Sequence, residues 1–270
     1  MSKTGSIITN VGYLDALARQ DSPIHQLDPR AKLLTTLAFI VMVVSFDKYQ
    51  ISAMFPFAIF PIVLIVLGNL PAGYLMKRVL WVTPFAVLVG IFNPFLDRQV
   101  LLHIGSVEIS GGWVSFASIL MRSLLTVLAA FVLVATTGFN TICLALEKIG
   151  VPNIFVMQLL FLYRYAFVLA EESGRMVRAW QLRAPLQKAI GIQSFSILLG
   201  SLFLRTTSRA QRIYQAMCCR GFEGRLHPAK QLHWTMANTI FLTGFCLLFT
   251  VFRFTNPALL LGKLITEIFS

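Results

Sequence analysis

Two short arginine motifs are the parts of this chain with the clearest chemical potential. The first, "LRA", covers residues 182–184, and the second, "CRG", covers residues 219–221. Small or apolar residues flank each arginine, so its guanidinium can enter a groove on another protein and pair through two hydrogen bonds with a carboxylate there. The candidate contact residues are Leu182, Arg183, Ala184, Cys219, Arg220 and Gly221, with Arg212 and Phe222 in support.

The composition places these motifs in an integral membrane protein. Of the 270 residues, 57% are hydrophobic and 13% are charged, and the mean hydropathy of +0.75 lies above the globular range. Because a membrane helix needs about 20 residues, the chain can hold five or six spans and one further subdomain. The net charge of +12 is then better explained by basic cytoplasmic segments than by nucleic-acid binding.

The N-terminus and the cysteines add two further expectations. No cleavable signal peptide is expected, because residues 1–32 are polar and mixed in charge. The cysteines show no CxxC spacing, so they are expected to be reduced and to fill space. They are Cys143, Cys218, Cys219 and Cys246.

Apolar runs predict about five membrane spans. Asp28 is a favourable N-cap and Pro29 suits the first helical position, so the first helix is predicted to start there. The predicted spans are about 32–46, 51–68, 79–96, 113–137 and 234–252. The predicted fold class is therefore an all-α integral membrane protein, with about five transmembrane helices plus amphipathic cytoplasmic helices, which the resemblance described below implies to be coupling helices.

The charge distribution divides the chain into three parts and predicts their orientation. Residues 1–138 form an N-terminal membrane bundle, residues 139–230 form coupling helices, and residues 231–270 hold the last span and a tail. Residues 139–230 contain twelve of the 23 Lys and Arg residues. The positive-inside rule therefore places this segment and the N-terminus in the cytoplasm, and the polar loop 97–111 outside.

Two apolar stretches within the basic segment, 154–170 and 190–204, are predicted to lie partly in the membrane without crossing it. Arg164 interrupts the first stretch, and the second has only about 15 residues, which is too short for a span. If both crossed, the arginine-rich "RMVRAWQLRAP" would lie outside, against the charge rule.

The region before the second motif is an amphipathic helix. On a helical wheel its basic residues fall within roughly 80° of one another; they are Arg205, Arg209, Arg212 and Arg220. Such a helix commonly lies on anionic lipid. Its apolar side is narrow and includes Ala210, Tyr214 and Gly221, which also suits packing against a protein partner.

The ordered set of motifs resembles the transmembrane T component of energy-coupling factor (ECF) transporters, especially the cobalt/nickel branch (CbiQ-like). "SPIHQLDPRAKLL" precedes the first span, "LLFLYRYAFVLAEE" lies in the middle, and "RAQRIYQAMCCRGFEG" contains the second motif. In that family two coupling helices each end in an Ala-Arg-Gly-type motif whose arginine docks into an ATPase groove. The chain departs from this pattern at Ala184, where glycine is usual, and at Cys219, where alanine is usual.

The resemblance implies the energy-coupling subunit of an ECF-type ABC importer in the plasma membrane of a prokaryote. Its implied partners are two CbiO-like ATPases, a CbiM-like substrate-binding membrane component, membrane lipid and, as a further candidate, a small CbiN-like auxiliary subunit. ATP and Mg²⁺ would bind to the ATPases, and this chain would bind no cofactor and catalyse no reaction. The transported substrate would be cobalt or nickel, and the alternative substrate is a vitamin.

The alternative is a self-contained secondary transporter or channel, for which Asn93-Pro94 and Arg122 are the candidate intramembrane features. A membrane-embedded enzyme is less favoured. The adjacent Glu171 and Glu172 face different ways on a helix, and no phosphate-binding glycine loop occurs. The histidines lack metal-ligand spacing; they are His25, His103, His227 and His233.

Overall fold

The computed structural model describes residues 13, 15–96, 100–104, 107–184, 190–224 and 234–255. The α-helices in this part are α1 (Pro29–Val44), α2 (Ile59–Leu67), α3 (Ala72–Gly90), α4 (Asn93–Leu96), α5 (Gly111–Thr137), α6 (Phe139–Ile149), α7 (Asn153–Arg183), α8 (Ile192–Cys219) and α9 (Met236–Thr255). A 3-10 helix, Ser52–Ala58, leads directly into α2. The predicted all-α membrane fold is confirmed, with one small addition in the region expected to be a polar loop: an antiparallel hairpin of β1 (Val100–Ile104) and β2 (Val107–Ser110).

The chain divides into two compact units. The bundle unit consists of Asp15–Gly138 and Leu232–Ser270. The paired-helix unit consists of Met1–Leu14 and Phe139–Gln231. Within the bundle unit, α5 packs against α1, α2 and α3, and α9 packs against α1. The paired-helix unit contains α6, α7 and α8.

The first helix of the bundle unit begins where its capping residues predict. Asp28 is the N-cap and accepts a hydrogen bond from the Arg30 backbone N–H at 2.9 Å, and Pro29 occupies the first turn. The Asp28 backbone N–H donates to Asn238 Oδ1 at 3.0 Å. The buried Lys32 ammonium donates to the Thr136 carbonyl at 3.1 Å, near the end of α5. The stretch "SPIHQLDPRAKLL" therefore ties α1 to α5 and α9.

Phenylalanine side chains from four elements form the core of the bundle unit. Phe39 of α1 lies 4.8 Å from Phe60 and 5.5 Å from Phe249, measured between ring centroids. Phe57 of the 3-10 helix stacks on Phe249 at 5.9 Å. All four rings are fully buried, so this cluster supplies the main apolar contact that holds α1, α2 and α9 together.

Two arginines donate hydrogen bonds to carbonyls at the C-terminal end of α1. Arg122 Nη2 of α5 donates to the Phe46 carbonyl at 2.8 Å, and Arg253 Nη2 of α9 donates to the Ser45 carbonyl at 3.0 Å. Both carbonyls lie just beyond the C-terminal end of α1, where cations are favoured by the helix dipole. Arg122 thus joins α5 to the C-terminal end of α1.

The lengths of the helices revise some predicted boundaries. Among the described residues, four helices are long and apolar enough to cross a membrane: α3, α5, α7 and α9. Helix α3 covers 72–90 rather than 79–96, because it begins directly after Pro71 and includes Lys77 and Arg78. Helix α7 is continuous over 31 residues, so its length and composition permit a crossing. That this segment does not cross stays a prediction.

Candidate functional site: two crossed helices that end in arginines

Helices α7 and α8 form an antiparallel crossed pair. One groove of about 740 Å³, here called the wide groove, lies between the first half of α7 and the second half of α8. A second groove of about 540 Å³, the narrow groove, lies between the second half of α7 and the first half of α8. Leu169, Glu172, Leu204 and Arg205 line a cleft between the two grooves. The helices therefore cross near Glu172 and Arg205, and a groove opens on either side.

The first motif lies at the C-terminal end of α7. Arg183 is the last helical residue, and the Ala184 backbone N–H donates to the Trp180 carbonyl at 3.0 Å to close the final turn. The Leu182 side chain is 84% exposed, and Arg183 is also exposed at the mouth of the narrow groove. Pro185, which follows the motif in the sequence, lies outside the described residues. The motif thus presents an arginine and a leucine at the C-terminal end of α7.

The second motif ends α8 in a Schellman arrangement, which explains its sequence. The Phe222 backbone N–H donates to the Met217 carbonyl at 3.1 Å, and the Gly221 backbone N–H donates to the Cys218 carbonyl at 3.0 Å. Gly221 has a φ of 77°, a conformation that costs little only for glycine. Arg220 is the C-cap residue and is exposed. The glycine therefore stops the helix immediately after the arginine.

Phe222 and Met217 line the same wide groove, as expected for the apolar pair that accompanies a Schellman motif. This placement gives Phe222 a clear role beside Arg220. Arg212, the other supporting candidate, is exposed and lines the cleft beside the crossing instead. The structure therefore brings Phe222, but not Arg212, to the end of the second motif.

Each motif arginine lies at the end of a helix segment, here called an arm, that extends from the crossing. The two arms lie on opposite sides of the crossing. Eleven residues separate Glu172 from Arg183 along α7, which corresponds to about 16 Å at 1.5 Å per residue. Fifteen residues separate Arg205 from Arg220 along α8, or about 22 Å. Because Arg183 lies beside the narrow groove and Phe222 beside the wide groove, the pair can contact two separate partner surfaces.

The wide groove is an apolar surface that the paired-helix unit leaves open. Its lining is mostly aliphatic and aromatic, from Ile154, Met157, Phe161, Tyr165, Val168, Leu169, Ala210, Ile213, Tyr214, Met217 and Phe222. No described residue of α8 is buried. An open apolar surface of this kind is typical of a protein or membrane contact.

The crossing holds a charge network that sequence reasoning missed. The basic stripe predicted on α8 includes Arg205, whose Nη1 lies 3.1 Å from Glu172 Oε1 of α7. Arg175 binds both neighbouring acids, with its Nη2 2.6 Å from Glu172 Oε2 and its Nη1 3.0 Å from Glu171 Oε1. The i,i+3 and i,i+4 spacings of the α7 pairs could have been found from sequence. The contact with Arg205 spans 33 positions and leaves no local signal.

Among the side chains that the structure describes, no three His, Cys, Asp or Glu residues come together to hold a metal ion. His25 Nδ1 lies 2.7 Å from Ser22 Oγ, and burial together with the nearby Lys32 ammonium lowers the pKa of His25. His227 and His233, and the side chain of His103, lie outside the described residues. His25 therefore has a structural place near the start of α1.

Comparison with known proteins identifies the family. The model of the CbiQ family, described as cobalt transport protein, matches residues 20–234. The chain belongs to the CbiQ family. The matched range includes both arginine motifs and the crossing of α7 and α8.

Relatives of this CbiQ-family chain are transporter membrane proteins. The energy-coupling factor transporter transmembrane protein EcfT of Thermosediminibacter oceani is 29% identical over 238 residues, which cover 81% of this chain and 88% of the relative. EcfT of Bacillus subtilis is 26% identical with the same coverage of both chains, and EcfT of Ruminiclostridium cellulolyticum is 24% identical over 85% of this chain and 91% of the relative. The interpretation of the chain as a CbiQ/EcfT-like T component is confirmed, and it is a multi-pass membrane protein.

Proposed function

We propose that this T component couples two ABC ATPases to a separate substrate-binding membrane protein, with Arg183 and Arg220 as the two ATPase-docking residues. The single observation that carries the proposal is the crossed pair α7–α8, whose arms end in exposed arginines on opposite sides of the crossing. Docking to two ATPases needs two anchors that lie apart and are joined at one crossing point. Arms of about 16 Å and about 22 Å fit this need.

The helix ends favour docking because a small residue follows each arginine. Gly221 ends α8 without a side chain, and Ala184 follows Arg183 with a single methyl group. A guanidinium can pair through two parallel hydrogen bonds with a carboxylate at the base of a groove, which fixes its orientation as well as its position. The replacement of glycine by Ala184 and of alanine by Cys219 keeps both ends small.

The wide groove is the proposed contact for the substrate-binding component. Its apolar lining suits another membrane protein, because aromatic and aliphatic side chains dominate the buried centre of protein interfaces. The partner would be CbiM-like, with a CbiN-like auxiliary subunit. When the ATPases close on ATP, movement of the two helix ends would change the angle between α7 and α8 and so reshape this surface.

The proposed substrate is cobalt or nickel, as the family description suggests, and the metal would be held by the substrate-binding component. ATP and Mg²⁺ would bind to the ATPases, so the chain itself would be non-catalytic. The proposed location is the plasma membrane of a prokaryote, with the N-terminus and residues 139–230 in the cytoplasm. This orientation follows from the excess of Lys and Arg in residues 139–230.

The test is co-purification of the ATPases with tagged T component, together with ATP-driven Co²⁺ and Ni²⁺ uptake. The variants are Arg183→Ala, Arg220→Ala and the double variant. Each single substitution should weaken ATPase binding by roughly 30-fold to several thousandfold, because it leaves a buried carboxylate of the partner unpaired. Lys at either position should restore binding only in part, because an ammonium lacks the planar fork.

The matched controls are Arg178→Ala on α7, which is exposed, and Arg209→Ala on α8, which is partly exposed. Because Arg209 also lines the wide groove, the controls are compared in ATPase binding. Arg205 is unsuitable as a control because it pairs with Glu172. The controls should lose little binding, as surface charges do. Full assembly and uptake in the double variant would contradict the proposal, and an equal loss in the controls would indicate general electrostatic attraction instead of two anchors.

A further inference from the structure

We infer that the ion pair between Glu172 and Arg205 is the fulcrum of the crossed helices, and that these two positioning residues make α7 and α8 pivot about a fixed point. The inference rests on the proposed function, because it concerns how a displacement of Arg183 or Arg220 reaches the rest of the pair. It extends that function to residues that do not touch ATPase or substrate.

The geometry of Glu172 is that of a shared acceptor. Its Oε1 accepts from Arg205 Nη1 of α8 at 3.1 Å, and its Oε2 accepts from Arg175 Nη2 of its own helix at 2.6 Å. The Glu172 side chain is 18% exposed, whereas that of Arg205 is 63% exposed. Arg175 therefore holds Oε2 of the Glu172 carboxylate from within α7, and Oε1 faces α8.

The apolar contacts at the crossing cannot fix the contact point by themselves. Grooves of about 740 Å³ and about 540 Å³ open on its two sides, and no described residue of α8 is buried. Among the described residues, Glu172–Arg205 is the ion pair that joins α7 to α8. A charge-assisted hydrogen bond restricts sliding along the helix axis, since sliding by one residue moves the partners about 1.5 Å apart.

With a fixed crossing point, each helix rotates about that point, so displacement of one end moves the other. With arms of about 16 Å and about 22 Å, a rotation of about 10° moves the ends by about 3 Å and about 4 Å. If the crossing point slides instead, displacement of one arm is lost as translation of that helix. Loss of the ion pair should therefore leave the docking residues intact but lower the uptake of substrate per ATP hydrolysed.

The test compares Glu172→Gln with Glu171→Gln in the assembled transporter in proteoliposomes. Glu171 is the matched control because it is adjacent and pairs with Arg175, yet makes no described contact with α8. The readouts are ATPase co-purification, ATP hydrolysis rate, and Co²⁺ or Ni²⁺ uptake per ATP hydrolysed. Glu172→Gln should keep ATPase binding. It should shift the equilibrium between a fixed and a sliding crossing point by up to about fivefold, the size expected for loss of one partly exposed ion pair, and so lower uptake per ATP.

A second pair of variants, Arg205→Gln and Arg205→Lys, tests the other side of the contact. Arg205→Gln should reproduce the loss in uptake per ATP, and Arg205→Lys should restore part of it. Combining Glu172→Gln with Arg205→Gln should be no worse than either alone, because both remove the same interaction.

The outcomes separate this inference from the proposed function. Failure of the ATPases to co-purify with the wild-type chain would contradict the proposed function. Normal assembly with equal uptake per ATP in Glu172→Gln and Glu171→Gln would overturn the fulcrum. If Glu172→Gln does not assemble, Arg205→Gln decides, and unchanged uptake per ATP in that variant would likewise overturn it.

Discussion

Replacement of Gly221 by alanine should loosen the end of α8 and misdirect Arg220. Gly221 has a φ of 77°, and an L-residue in this left-handed region costs about 1–2 kcal/mol. A Cβ built on Gly221 has nothing within 4 Å, so no steric clash adds to this conformational cost. Opening of the helix end should therefore become about 5- to 30-fold more frequent.

Hydrogen exchange of the amides at positions 221 and 222 measures this opening directly, because both donate to carbonyls of the last α8 turn. Asn tolerates the left-handed region, so Gly221→Asn should fall between glycine and alanine. Gly174 gives a matched control: it lies within α7, and a Cβ there also has open space. Gly174→Ala should slow exchange in α7, since alanine favours a helix interior by about 1 kcal/mol. Exchange at position 222 that is equal in wild type and Gly221→Ala would refute the Schellman explanation.

Three further predictions follow from the structure. Cys218 and Cys219 are exposed and should react with maleimide at about pH 7.5, whereas Cys143 should stay unlabelled until unfolding, because burial raises its pKa to about 11; rapid labelling of all three in the folded protein would contradict this. Arg122→Ala should lower the free energy of unfolding in detergent by about 1–3 kcal/mol, because it leaves the Phe46 carbonyl without its donor; an unchanged denaturation midpoint would be the opposite result. Replacement of all four histidines by glutamine should leave the preference of the assembled transporter between Co²⁺ and Ni²⁺ unchanged, and a switch at equal complex yield would show that this chain helps to select the metal.

Local signals in the sequence were sufficient for the helix ends. Asp28 and Pro29 predict the start of α1 because capping depends on the residues themselves and their immediate neighbours. Gly221 likewise predicts the end of α8. The start of α3 was placed too late, because Lys77 and Arg78 suggested a flank, although basic residues are good helix formers.

Contacts between distant segments were beyond the reach of the sequence. The pairing of Arg205 with Glu172, and of Arg122 with the end of α1, depends on how helices pack, and neither has a periodic or spacing signature. The amphipathic pattern of α8 predicts that its arginines lie on one side, but the same pattern is compatible with lipid, water or an acidic partner. The tertiary structure was therefore needed to find the crossing point.

The most direct test of the central claim is site-specific photo-crosslinking in intact membranes. A photoreactive amino acid placed at Leu182 or at Glu223 lies next to one motif without removing its arginine, and both positions are exposed. The control position is Phe254 at the end of α9, which is 85% exposed. The account predicts that the ATPase is captured from both motif positions and not from Phe254. Absence of ATPase capture at positions 182 and 223, or equal capture at all three, would contradict the assignment of Arg183 and Arg220 as the coupling anchors.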